Sequence, residues 1–192
     1  MTTLHTRRLT LRPPALSDLD GFAAFYGQSR ASFVGGPLPR REDAWRVFAT
    51  LAGMWHLRGW GPFVIERGGE PVGHCGPWWP AGGAEPELGW ALWLPALEGR
   101  GLMFEAADAA RRHCAETLGL ASLVSYVHPS NARSVTLAKR LGAVLDPAAE
   151  GSEPGLGTWR HPMPGARAGG RADAPGSHTV CTRLAHAPEG RP

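Results

Sequence analysis

A mixed α/β domain is the fold class that this 192-residue sequence predicts. Three observations carry that expectation. The apolar pattern switches between a period of two and a period of three to four, in the order β-α-α-β-β-β-α-β-α. The helix that opens after Gly101 joins two strands that can lie side by side in parallel, as a crossover helix does. Hydrophobic residues make up 43% of a chain of single-domain length, enough to bury a core without staples.

Residues 4–12 open the pattern. Leu9 and Leu11 alternate with Arg8, Thr10 and Arg12 up to Pro13 and Pro14, which predicts one strand with one buried face. Ser17 stands where an N-cap belongs, with Asp18 and Asp20 in the first turn. Leu19, Phe22, Ala23 and Tyr26 follow at helical spacing, giving a short helix to about Gly27. Past Gly35-Gly36-Pro37, the positions Ala44, Val47, Phe48, Leu51 and Trp55 form one face of a second helix that ends before Gly59.

From Gly61 the period changes. Phe63, Val64 and Ile65 lead into the turn Arg67-Gly68-Gly69-Glu70, and 71–79 returns as the antiparallel partner. Residues 87–94 alternate Leu88, Trp90, Leu92 and Leu94 with Glu87, Gly89, Ala91 and Trp93, and Pro95 ends them; Trp90, like Trp45, Trp55 and Trp60, reads as core packing. In the long helix that follows, Met103, Ala106, Ala107, Ala110, Cys114 and Leu118 share a face whose small residues allow close approach to a sheet. Residues 123–128 form a strand, 131–141 a last helix, and 158–162 an edge strand.

Composition narrows the function classes. The 26 glycines and 18 prolines occupy about a fifth of the first 146 positions and about a third of the last 46, so a domain over 1–163 is expected to carry a disordered tail over 164–192. A net charge of +3 comes from scattered arginines, which does not argue for a nucleic-acid face. Cys75, Cys114 and Cys181 are odd in number and lack CxxC spacing, so they support neither a disulfide framework nor a zinc site. No segment approaches the length of a membrane span, and Arg7 and Arg8 interrupt any leader, which predicts a cytoplasmic protein. His74, His113 and His128 lack ligand spacing, and no metal is expected.

The chemistry concentrates in 92–106, a strand, a glycine-bearing turn and a helix start. Free N–H groups, the helix dipole and glycines without side-chain bulk suit a diphosphate there, although an ordinary βα turn has the same outline. It is neither a Gly-Lys-Ser/Thr phosphate loop nor GxGxxG. About thirty residues on, Val127-His128-Pro129-Ser130-Asn131-Ala132-Arg133-Ser134 joins a strand end to a helix, and Leu141-Gly142-Ala143 follows. Taken with Thr6-Arg7-Arg8-Leu9-Thr10-Leu11-Arg12-Pro13, Gly73-His74-Cys75-Gly76 and Glu87-Leu88-Gly89-Trp90, this ordered set resembles the GNAT N-acetyltransferase superfamily, in its RimJ/RimL ribosomal-protein-acetyltransferase-like branch. The resemblance spans nearly the whole domain.

That resemblance implies a GNAT-type fold. Its features are a central twisted mixed sheet of six or seven strands, helices on both faces, and acetyl-CoA in a cleft where two strands splay. It implies that the backbone of Trp93 and Leu94 pairs with the pantetheine arm, with Leu92 beside them on the same strand at the cofactor. The N–H groups of Gly99, Arg100, Gly101, Leu102, Met103 and Phe104 would take the pyrophosphate, and Asn131 and Ser134 would face the arm from the other side. Two positions depart from the family's Gln/Arg-x-x-Gly-x-Gly/Ala: Glu98 replaces the first residue and Met103 the last.

For transfer, Glu87 is the expected base, against the alternative of a solvated carboxylate on a strand edge. A β-strand N–H near Leu92 is expected to stabilise the oxyanion. The family's frequent tyrosine acid is replaced by Ala138, which leaves Ser134 as the donor to the leaving thiolate or as a serine bonded to backbone. Trp78 and Trp79, with Trp93 nearby, are the expected acceptor-site aromatics beside Glu87. The implied activity is acetyl transfer from acetyl-CoA to a protein N-terminus, amino acid or small amine by a monomer or homodimer, with no specific nucleic acid, membrane or metal. A non-catalytic acyl-CoA-binding module on the same scaffold is the alternative.

Overall fold

The computed structural model describes residues 2–149 and 151–163; the tail expected over 164–192 lies outside them. The first extended segment is two strands, β1 (Leu4–His5) and β2 (Thr10–Arg12), paired antiparallel about a turn closed by the Thr6 N–H to the Leu9 carbonyl at 2.9 Å. The first helix, α1 (Leu19–Tyr26), is preceded by a 3-10 turn over Leu16–Asp18. That shifts the N-cap position from Ser17 to Asp18, whose carboxylate accepts the Ala15 N–H at 2.8 Å instead of a helix N–H. Helix α2 (Arg41–Arg58) follows as expected, and its chain leaves through Gly59 in the left-handed region.

Asp18 ties this layer to the sheet. Its side chain is 1% exposed and accepts both Arg12 Nη atoms at 2.7 Å, while Arg12 Nε reaches Glu66 at 2.8 Å. The carboxylates raise the Arg12 guanidinium above its ordinary value, with the Asp18 hydrogen bonds the largest cause. Asp18→Asn removes the charge but leaves Arg12 its second partner. It is expected to destabilise by about 2 kcal/mol, less than the loss of a fully buried pair, and urea unfolding measures it.

Strands β3 (Phe63–Arg67), β4 (Glu70–Trp78) and β5 (Glu87–Leu92) continue the sheet antiparallel. Helix α3 (Leu102–Glu116) crosses over to β6 (Val124–Val127), which lies parallel to β5. Helix α4 (Ala132–Arg140) leads to β7 (Val144–Leu145) and β8 (Gly157–Arg160). The sheet has eight strands in the order β1-β2-β3-β4-β5-β6-β8-β7. That exceeds the six or seven expected, because 4–12 breaks in two and β7 pairs as well. It also corrects the placement of 158–162: β8 is inserted between β6 and β7, held by Arg160 to Glu85 at 2.7 Å and to Asp146 at 3.0 Å.

Period-two alternation divides the core. Leu11, Phe63, Ile65, Cys75 and Leu88 face α3, where Ala106, Ala107, Ala110 and Cys114 permit close packing. Val64 and Ala91 face the other way, against Phe22 of α1 and Phe48 and Leu51 of α2. Helices therefore cover both faces. Cys75 and Cys114 are buried free thiols, and desolvation raises the Cys114 thiol to about 12. No helix of the described residues is long and apolar enough to cross a membrane.

The parallel pair is incomplete. Strands β5 and β6 are in register only at Glu87 and Val124, beside the Val124 N–H to Pro86 carbonyl bond at 3.0 Å. At the root of the opening the Ser125 hydroxyl donates to the Leu88 carbonyl at 2.7 Å. Beyond that point the two strands have no ladder between them.

Candidate active site

The turn that closes the opening is shaped by two glycines. Gly99 and Gly101 have φ of 72° and 71°, a left-handed conformation that other residues rarely adopt, and Gly101 is the N-cap of α3. The first helical bond there runs from the Glu105 N–H to the Gly101 carbonyl at 3.2 Å, so the N–H groups of Leu102, Met103 and Phe104 have no helical acceptor. The turn is braced from β1–β2: Glu105 accepts the Thr6 hydroxyl at 2.6 Å and the Arg8 backbone N–H at 2.8 Å. Arg8 also donates to the Arg100 carbonyl at 3.0 Å.

A cavity of about 850 Å³ opens over this turn. Gly99, Gly101, Leu102, Met103, Phe104, Leu92, Asn131 and Ser134 all line it. So do three cations the sequence reading did not single out: Arg30, Arg133 and Arg140, the last 4.7 Å over the Phe104 ring. Glu98 is clamped between Arg30 and Arg133, with Arg133 Nη1 at 2.6 Å from its second oxygen. The acid beside the turn is therefore neutralised twice over. Arg30 also donates to the Trp93 carbonyl at 3.0 Å. Arg100 is not among the lining residues, nor is Leu94, which is exposed.

A second cavity of about 550 Å³ lies on the α1–α2 side of β5. Its floor is β4 and β5, with His74, Gly76, Trp78, Glu87 and Gly89. Its walls include Tyr26, Phe33 and the connection that carries Glu153 and Leu156. Glu87 is not on a strand edge. It sits in β5 between Trp78 of β4 and Val124 of β6. Burial pushes its carboxyl up to about 7, against a hydrogen bond from the Tyr126 N–H, and the Glu87 charge in turn adds to the burial that raises Tyr26. Desolvation lowers His74 to about 4, so it is neutral, and its Nδ1 accepts the Trp93 indole N–H at 3.0 Å. Among the lining residues there is no lysine or arginine.

The tryptophans redistribute. Trp78 lines the second cavity, but Trp79 turns away, donating to the Gly83 carbonyl at 2.8 Å beneath Arg58. The Trp93 side chain is core, packed with Phe22 at 6.0 Å, because its register points it into the α1–α2 layer. Trp90, expected as plain core, instead borders both cavities with Asn131 and Ser134. Its indole donates to the Ser134 hydroxyl at 3.2 Å, and the Ser134 N–H donates to Asn131 Oδ1 at the same distance. Ser134 Oγ is thus held by an indole, and Asn131 is the α4 cap. The strand alternation completes the wall. The Trp93 N–H is directed to the Val72 carbonyl of β4, so the N–H groups of Leu92 and Trp90 do not share that edge: Leu92 is one step out of phase, as Trp90 is, and both turn to the opening.

Comparisons with known proteins bear on the family and the fold. Residues 8–144 match the model of the acetyltransferase (GNAT) domain. An acetyltransferase from Agrobacterium tumefaciens str. C58 is 41% identical over 85% of this chain and 95% of its own, with a TM-score of 0.80. RimL, the ribosomal L7/L12 alpha-N-protein acetyltransferase in complex with coenzyme A, superposes with a TM-score of 0.70 at 16% identity over 86% of this chain and all (100%) of its own. Spermidine N-acetyltransferase from Vibrio cholerae, with CoA and spermine, gives 0.64 at 16% identity over 81% and 94%. The last two establish a shared fold. An open mixed sheet with a parted parallel pair defines an acyltransferase scaffold, and the chain belongs to the GNAT acetyltransferase family.

Proposed function

We propose that this enzyme transfers an acetyl group from acetyl-CoA directly to a primary amine, donor and acceptor entering the two cavities from opposite sides of the Trp90–Asn131–Ser134 wall. The observation that carries this reading is the opposite charge of the cavities. Arg30, Arg133, Arg140 and the start of α3 border one, where Glu98 offsets one of the three positive charges, and Glu87 and Glu153 border the other. The first suits a diphosphate: the N–H groups of 102–104 have no helical acceptor, the turn before them carries two left-handed glycines, and a helix dipole stands behind them. That two proteins of the same fold are structures with CoA is in accord. Buried free thiols fit the expected cytoplasmic setting.

Acetyl-CoA supplies an activated thioester; the chain supplies orientation and proton handling. The amine must arrive neutral, and deprotonation at pH 7 costs about 1 kcal/mol for an α-amine and about 5 kcal/mol for a lysine. Glu87, pushed up to about 7, is matched to accept that proton. The N–H groups of Leu92 and Trp90 would serve the developing oxyanion. Ser134 accepts from Trp90 and keeps its own O–H to donate toward the leaving sulfur. A thiol with a pKa of about 8.5 leaves without much help. Ser134→Ala is therefore expected to lower kcat about three- to tenfold and to change KM for acetyl-CoA less, by steady-state kinetics; equal rates would return Ser134 to packing.

Release of free CoA thiol on mixing the protein with acetyl-CoA and a panel of amines tests the reading. Binding of acetyl-CoA with no turnover of peptides, amino acids or polyamines would overturn it in favour of a non-catalytic acyl-CoA-binding module.

A further inference from the structure

Gly89 sits in the middle of β5 with no steric reason to be glycine. Its φ is not in the left-handed region, and a Cβ built on it would meet no atom within 4 Å. A glycine inside a strand weakens the strand, and one that nothing crowds marks a place where something else comes close to the backbone. Its register partner Gly76 differs: φ is 147°, and a Cβ would fall 3.0 Å from Phe63 Cδ2 and 3.1 Å from Pro62 Cα. Gly76 is required by the fold. Gly89 is not.

The two lie opposite each other, between the Trp78–Glu87 and His74–Ala91 pairs, and both line the second cavity. Together they make a strip of bare peptide, with aromatic rings of Tyr26, Phe33, Trp78, Trp90 and Tyr126 around the same cavity. A flat ring fits such a floor, since no side chain lifts it away and the surrounding rings offer edges and faces. Charge narrows the class further. Among the described residues Glu87 and Glu153 are the acids of the lining, with no lysine or arginine, a neutral His74 in the floor and His128 at the β6 end, so an acceptor carboxylate beside Glu87 would meet like charge without a guanidinium or ammonium partner.

Resting on the transferase reading above, we infer that the acceptor is a carboxylate-free primary amine on a flat aromatic body, an arylalkylamine, with its nitrogen toward Glu87, and that Gly89 determines its admission. A larger residue at 89 grows into open space rather than into neighbours, so the fold survives while the acceptor's place is filled.

Tryptamine, ethylamine, tryptophan, spermidine and a short peptide with a free N-terminus are the probes, read by thiol release as kcat/KM. Tryptamine is expected to exceed ethylamine and spermidine at least about tenfold and tryptophan about a hundredfold. In Gly89→Ala and then Gly89→Leu, the tryptamine-to-ethylamine ratio should fall stepwise, to about a tenth or less in the leucine variant, with melting temperatures at or above that of the unsubstituted protein. A peptide or spermidine outrunning tryptamine, a constant ratio, or both amines falling together would overturn this inference and leave the transferase reading standing. Bound acetyl-CoA with no thiol release for any amine would overturn both.

Discussion

Glu87→Gln is expected to lower kcat about 10²–10³-fold, to erase the limb of the pH profile near 7, and at the same time to make the protein more stable at alkaline pH. The three outcomes share one cause. The carboxyl lies in an interior strand, desolvated, and its folded value is about 7 against an ordinary 4.5. A carboxyl raised in this way favours its neutral form in the folded state. Below pH 4.5 it is protonated in both states and carries no penalty. Between 4.5 and 7 the unfolded chain ionises first, so folding loses free energy as pH rises. Above 7 the folded protein carries the full burial penalty, at most about 3 kcal/mol. Glutamine has no charge to bury, so the variant should match the parent near pH 4 and exceed it near pH 8.5 in thermal unfolding. A structural carboxylate would give the stability change without the kinetic one. Retention of the limb near pH 7 would remove Glu87 from the mechanism.

Gly101→Glu is expected to weaken acetyl-CoA binding about 10²–10³-fold by calorimetry. Two effects add. Any side chain at φ of 71° is strained by about 1–2 kcal/mol, which favours a relaxed turn that binding must restore, and the new carboxylate stands where the helix N-terminus would meet a diphosphate. The change does not break packing, because a Cβ at this position would meet only Arg8 Nη2, at 3.7 Å. Gly101→Ala separates the effects, since it keeps the strain without the charge and should lose only about tenfold. Undiminished affinity in the glutamate variant would move the cofactor away from this turn.

The elements themselves were legible in the sequence wherever their cause is local. The alternation of Leu88 and Trp90 with Glu87 and Gly89, the small face Ala106, Ala107 and Ala110, and the punctuation by Gly99, Gly101 and Pro129 depend on neighbours a few residues away. The family-like segments inherit that legibility: Gly99–Phe104, Asn131 and Ser134 do come together around one cavity, apart from Arg100. Errors arose where a local pattern admits two endings. Ser17 and Asp18 compete for one cap, and the chain from Leu4 to Arg12 reads as one strand unless its pairing across Thr6 and Leu9 is seen.

The electrostatics of the site required the tertiary structure. Glu98 looks like a misplaced acid until Arg30 and Arg133 arrive from other elements, and a scattered arginine count conceals that three of them border one cavity. Trp79, Trp90 and Trp93 carry the same side chain. Their roles as surface, wall and core depend on the strand's exit, on α4 and on the α1–α2 layer respectively. The shift of Glu87 likewise arises from β4 and β6 closing on both sides. The sequence alone thus determined the order of elements, the glycine turn and the family. The partition of charge between the cavities and the bare floor at Gly89 were decided only by folding. Periodicity and caps act through covalent neighbours, whereas desolvation and charge pairing depend on which distant segments share a space.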